Sequence, residues 1–152
     1  MIDIFVISIS NPLLIGIYEN NKLTKHITKE GKTSDILPLL FDDILKKYKN
    51  INGLYFVNAP GSYMAIKVSY IFLKTLSISK NIPLYATNGF NFNDNSPIKA
   101  LGKKYFINKN GTIKVDFLDN DTKIHDFKLP NNLDKKLFDE KNTLPEYNLP
   151  AV

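Results

Sequence analysis

The chain has 152 residues, 43% of them hydrophobic, enough for one compact domain or one domain with a small appendage. It lacks cysteine and has only two histidines, His26 and His125, which excludes disulfides, thiolate catalysis and cysteine-bound zinc and leaves too few imidazoles for a histidine-rich metal site. The formal charge is +5, yet all twenty basic residues are lysine, eighteen asparagines accompany them, and no block of five or six lysines occurs. Arginine's planar fork usually makes bidentate phosphate contacts, so this balance permits nonspecific attraction to RNA without marking a binding face.

No apolar run reaches the ~20 residues needed to span a bilayer. The apolar N-terminus carries Asp3 as its first charge, and Asn11-Pro12 interrupts it, so a strand pair is expected in place of a signal peptide. The protein is expected to be cytoplasmic, with no membrane contact.

In chain order, residues 2–9 and 13–18 are rich in Ile, Val and Phe, as strands buried on both faces are. Asn20-Asn21 suits a tight hairpin leading to a third strand, Lys22 to Thr28. A helix follows over Ser34–Lys49, with Thr33 or Ser34 as N-cap, Asp35 near its positive end and Pro38 in its first turn or so. Leu37, Leu40, Phe41, Ile44 and Tyr48 recur at helical spacing along it, and Ile36, Leu39 and Leu45 widen that arc. Next come a buried strand, Leu54–Val57, a Pro-Gly turn, a helix over Ser62–Ser79 and a short parallel strand, Ile82–Ala86. Three strands, helix, strand, helix, strand describe an α/β fold: a mixed sheet with helices on it, the ribonuclease-H-like half of the actin-like proteins.

Residues 88–97 are polar and read as a linker. Three short strands are expected beyond it, Lys104–Asn108, Thr112–Leu118 and Lys123–Phe127, with turns at Asn110-Gly111 and Asn120-Asp121. The chain thus divides into a first lobe, 1–90, and a reduced second part, 91–152, whose tail from Pro130 runs along the surface. There is no internal repeat.

The strand-turn-helix over Val57 to Lys67 has the outline of a phosphate loop, because a helix N-terminus offers free N–H groups and partial positive charge. It has one glycine, however, and no lysine-hydroxyl pair to hold a phosphate. The helix behind it carries two apolar stripes. Tyr63, Ile66, Tyr70 and Leu73 form one; Met64, Val68, Ile71, Phe72 and Thr75 form the other. A surface helix normally shows one stripe, so the second implies burial between layers or a protein partner. The carboxylates Asp42, Asp43, Asp94, Asp116, Asp119 and Asp121 fall where turns and helix surfaces expose them, which argues against acid-base catalysis. Actin-like ATPases place a metal-coordinating aspartate near the end of the first strand; Ile7-Ser8-Ile9-Ser10 holds no acid there.

Val57-Asn58-Ala59-Pro60-Gly61-Ser62-Tyr63-Met64-Ala65-Ile66-Lys67-Val68, followed by Asn81-Ile82-Pro83-Leu84, resembles the signature of the TsaB (YeaZ) family, N-G-P-G-S-F-T-G-L-R followed by a helix and G-I-P-L. Thr33-Ser34-Asp35-Ile36-Leu37-Pro38 is similar to that family's H-S-E-x-L-x-P, and Leu144 to Leu149 to its closing P-x-Y-L. The motif positions are Ala59, Pro60, Gly61 and Ser62; Ala59, Met64, Ala65, Lys67 and Thr33 depart from the pattern, and Ile7 stands where the family commonly has aspartate. The resemblance implies a noncatalytic scaffold, without metal or cofactor, in the synthesis of threonylcarbamoyladenosine on tRNA. It pairs with the transferase TsaD, is joined by the ATPase TsaE, touches tRNA only indirectly, and forms homodimers when alone. On that reading Leu37, Phe41, Ile44, Tyr63, Ile66, Lys67, Tyr70 and Leu73 are the partner-binding residues. The residues leave open an actin-like ATP-binding phosphotransferase and a basic RNA-binding module.

Overall fold

A computed structural model describes residues 1–61, 63–100 and 102–145, without the side chains of Tyr63 and Ala65. Its first sheet contains β1 (Ile2–Ile7), β2 (Leu13–Glu19), β3 (Lys22–Lys29), β4 (Ile51–Ala59) and β5 (Leu84–Asn88), in the order β3-β2-β1-β4-β5. Only β2 runs against the others. Helices α1 (Thr33–Lys47) and α2 (Tyr63–Lys80) connect β3 to β4 and β4 to β5. This is the ribonuclease-H-like, actin-like arrangement expected from the order of elements.

The β2–β3 hairpin turns where expected, with Asn20 and Asn21 at φ 51° and 68°, a backbone region Asn tolerates better than most residues. Helix α1 begins at Thr33, one residue before the expected span, and Lys32 precedes it without a side-chain cap. The N–H groups of Asp35 and Ile36 instead donate to the Lys32 carbonyl, at 3.0 and 3.1 Å. The last strand of this sheet starts two residues later than expected, because Leu84 to Thr87 are the residues in register with Leu54 to Val57.

Alternation along each strand divides the sheet's side chains between two cores. Ile4, Val6, Leu54 and Phe56 face the helices and meet Leu37, Phe41, Ile44 and Leu73. Phe5, Ile7, Tyr18, Tyr55 and Val57 face the opposite way, against Phe92 and Leu133. Strands buried on both faces, as the apolar runs implied, account for the low polarity of β1 and β4.

The second core is closed by the chain's own tail. Tyr18 donates its hydroxyl to the Pro130 carbonyl at 2.7 Å; the Leu23 N–H donates to Asn131 and the Leu133 N–H to Asn21, each at 2.8 Å. The strap then crosses to the other edge, where Thr87 donates to the Leu137 carbonyl at 2.7 Å and Ala86 and Asp139 exchange backbone bonds of 2.9 and 2.8 Å. The tail, expected to run along the surface, therefore packs into the core of the first lobe. Residues 88–97 are not a loose linker: Phe90, Phe92 and Asn93 are buried around a 3-10 turn over Gly89–Phe92.

The second sheet contains β6 (Ile98–Lys99), β7 (Lys104–Lys109) and β8 (Thr112–Phe117), turning at Asn110-Gly111 as expected. Residues 123–127 do not form the expected third strand. Their backbone is engaged by a side chain instead: the His125 N–H donates to Ser96 Oγ at 3.0 Å, and that hydroxyl lies 3.3 Å from the His125 carbonyl. No helix among the described residues is long and apolar enough to cross a membrane.

Candidate functional site

The carboxyl ends of β1, β4 and β5 converge where open α/β sheets bind their ligands. Here the space between the turns after β4 and β5 is filled, while beside it a cavity of about 690 Å³ is bordered by Ile9, Ser10, Pro12, Lys99, Tyr105 and His125. Ala59, Pro60 and Gly61 are buried at the end of β4, and a Cβ on Gly61 would lie 3.0 Å from Ile66 Cγ2 and 3.2 Å from Ile9 Cγ2. A Cβ on Gly89, in the turn after β5, would lie 2.7 Å from Ile9 Cδ1. Ile9 thus plugs the space between the two turns, and Gly61 is needed for close apolar packing instead of for approach to a phosphate. Beside it the Ser8 and Ser69 hydroxyls are buried and hydrogen-bonded to each other, so β1 ends tied to α2. The Ser62 position of the motif lies outside the described residues, as do residues 146–149 of the closing motif.

On the helical face, the expected partner-binding residues divide. Leu37, Phe41, Ile44, Ile66 and Leu73 are buried in the chain's own core, because each lies on the side of its helix that faces the sheet. They lie beneath the helical surface and support it, and of the five only Leu37 also borders the groove described next. Lys67 and Tyr70 are half-buried, and the Tyr63 side chain lies outside the described residues.

The second stripe of α2 has the opposite fate. Val68, Ile71, Phe72 and Thr75 border a groove of about 430 Å³ completed by Leu37 and Pro38 of α1. Ile71 is 51% exposed, and Leu39, Met64 and Ile78 extend the apolar surface at 69%, 63% and 72%. Nothing in the described chain covers this groove, because the tail lies on the far side of the sheet. Pro38 and Ile78 were not read as surface residues; the two-stripe count of α2 was the signal that could find the groove.

Titratable groups offer little chemistry. His125 and Asp94 approach to 3.4 Å but are half or more exposed. Among the described residues no cluster of His, Asp and Glu could hold a metal ion. The one deeply buried carboxylate among the described residues, Asp3, sits on the tail side, where burial raises its pKa and Lys135, 3.4 Å away, opposes that shift. Burial likewise pushes the Tyr18 and Tyr55 hydroxyls up, with Asp3 adding to the effect on Tyr55.

The sequence matches no family profile, and no curated protein matches it. Its structure is similar to that of YeaZ from Pseudomonas aeruginosa, with a TM-score of 0.58 at 8% identity over 82% of this chain and 66% of that one. It is also similar to an uncharacterized protein with similarity to peptidase YeaZ from Pseudomonas aeruginosa, at TM-score 0.55 and 9% identity, covering 76% and 63%. The chain spans just under two thirds of the length of these structures. Its fold is therefore that of YeaZ, the fold of the family that the Pro-Gly-Ser turn resembles.

Proposed function

We propose that this chain is a noncatalytic subunit that pairs, through the outer face of α1 and α2, with a TsaD-like transferase acting on tRNA, in an assembly that a TsaE-like ATPase joins. The observation carrying this reading is the asymmetry of the two cores: the chain's own tail covers one face of its sheet, while the apolar groove on the other remains open. Exposed apolar surface of this extent on a small protein marks an interaction site. The plug at Ile9 and the absence of an acid at the end of β1 support a supporting role over catalysis. A second copy of the chain is the competing occupant of the same face, and accounts for homodimers in the partner's absence.

The test is co-purification with the TsaD-like protein of the same cell, for the wild type and for Ile71→Glu. Ile71 is half exposed, so the variant should keep the native circular dichroism and melting temperature while losing the pairing. Pairing that survives this charge would sink the interface. Tight binding of ATP and magnesium by the isolated chain, in the low micromolar range, would favour the phosphotransferase reading instead.

A further inference from the structure

The distribution of charge over the fold points to a second surface. Residues 98–117 hold five lysines, Lys99, Lys103, Lys104, Lys109 and Lys114, against one acid, Asp116. Four of the chain's five net positive charges therefore lie in the three-stranded sheet. All five lysines are exposed, and none forms an ion pair among the described residues.

The register assigns their directions. Ile98 opposes Phe106, which opposes Val115, and this face turns inward, with Ile98 and Phe106 buried. The alternate residues, Lys99, Tyr105, Ile107, Lys109 and Lys114, share the outer face with Asp116, the direct partner of Tyr105; at the edge of that face Lys99 and Tyr105 also border a cavity of about 690 Å³ with Ile9, Pro12 and His125. Lys99 and Tyr105 are cross-strand partners, and the Lys99 ammonium stands 5.6 Å from the Tyr105 ring. Lys104 and Phe117, cross-strand partners 5.4 Å apart from ammonium to ring, lie on the Phe106 side of the sheet and are not part of this outer face.

We infer that this outer sheet face binds RNA, as a lysine-bearing platform on which an unpaired stretch of bases stacks against Tyr105. A sheet surface combining cations that form no ion pair among the described residues, Lys99 donating only to the Gly102 carbonyl at 3.1 Å, with an aromatic ring offers both elements of single-strand recognition: neutralisation of the backbone and a stacking partner available to any base. An acidic membrane fits this face less well, because surface-binding elements present exposed large apolar residues beside their cations, whereas Tyr105 and Ile107 are half-buried here. The inference rests on this sheet alone and does not require the subunit pairing proposed above.

The test uses the full chain and a fluorescently labelled 12-nucleotide oligouridine, titrated across a series of salt concentrations. Replacing Lys99, Lys109 and Lys114 together by Gln should lower the slope of log affinity against log salt by about 2 to 3. Replacing Lys46, Lys47 and Lys49 together by Gln removes the same charge at the end of α1 and should leave the affinity near that of the wild type. Tyr105→Leu should weaken binding about fivefold or more, and Tyr105→Phe should restore it. Equal losses in the two triple variants would show an effect of net charge only and overturn the assignment. So would unchanged RNA binding in the sheet variant, or, in a parallel titration with phosphatidylserine vesicles, a loss confined to the vesicles. Melting temperatures of all variants separate these outcomes from unfolding, and co-purification with the TsaD-like protein, unaffected in the sheet variant, separates failure here from failure of the pairing.

Discussion

The side-chain amide of Asn58 donates to the carbonyl of Leu144 at 2.8 Å, and to that of Asn142 at 3.1 Å. A residue of the Pro-Gly-Ser signature thereby fastens the end of the tail to the end of β4. Asn58 is buried, so its amide is satisfied by backbone that must arrive from 84 and 86 residues downstream.

Asn58→Ala should therefore cost about 1 to 3 kcal/mol, the loss of two buried hydrogen bonds with their acceptors left to water or to nothing. Hydrogen exchange should quicken in residues 139–145 first and leave the amides of α1 protected. Uniform quickening across the molecule would show that Asn58 is not a local fastener.

The plug at the sheet's carboxyl ends can be tested by overfilling it. Gly89→Ala brings a methyl group to within 2.7 Å of Ile9 Cδ1 and 3.2 Å of Val57 Cγ1, and should destabilise the fold by about 1 to 3 kcal/mol. Ile9→Ala in the same chain vacates that space, so the double variant should lose less than the sum of the two single changes. Simple additivity in urea unfolding would show that Ile9 is not what fills this junction.

Leu37 and Leu39 are two residues apart on α1 and should behave as different kinds of residue. Leu37→Ala removes a fully buried side chain and should cost about 2 to 5 kcal/mol. Leu39→Glu changes an exposed side chain and should stay within about 0.5 kcal/mol of the wild type. Leu39→Glu, on the exposed apolar surface, should lose pairing with stability intact, whereas Leu37→Ala, at a residue that is buried and also borders the groove, should weaken pairing and stability together.

Asp3 predicts the direction of one pH effect. Its carboxyl is 1% exposed, and burial lifts its pKa above the ordinary value despite the Lys135 ammonium 3.4 Å away. The folded chain thus holds this proton more tightly than the unfolded chain does. The associated stability is fully present below the usual carboxylate pKa, about 4, and is lost as pH rises through the folded value. Asp3→Asn should remove that decline, so its urea midpoint gains on the wild type between pH 4 and 7. Lys135→Met should steepen the decline. A difference between Asp3→Asn and wild type that stays constant over this range would refute the assignment.

The order of elements along the chain, both helices and the Asn20-Asn21 hairpin were legible because each depends on local periodicity or local backbone preference. Leu37, Phe41, Ile44, Ile66 and Leu73 were placed at the partner surface because periodicity identifies an apolar face without saying what covers it. Position relative to the sheet decides that, and it turned the strongest stripe inward. The tail was unreadable for a related reason: its bonds run to Tyr18, Asn21 and Thr87, more than 45 residues away, and leave no periodic trace between Pro130 and Pro145. The lysines of the second sheet looked dispersed because they lie in different strands; the β7–β8 hairpin gathers Lys109 and Lys114, and β6 adds Lys99.

The strap also sets a timetable for synthesis. Both helices and all five strands of the main sheet are encoded by residue 88, but Phe5, Tyr18, Tyr55 and Val57 face water until residues 129–138 leave the ribosome. At ordinary elongation rates that interval lasts about 2 to 10 s. A nascent chain displaying so many aromatic groups is a substrate for chaperones, and a nonsense mutation near codon 128 would leave a half-sealed product that quality-control proteases remove.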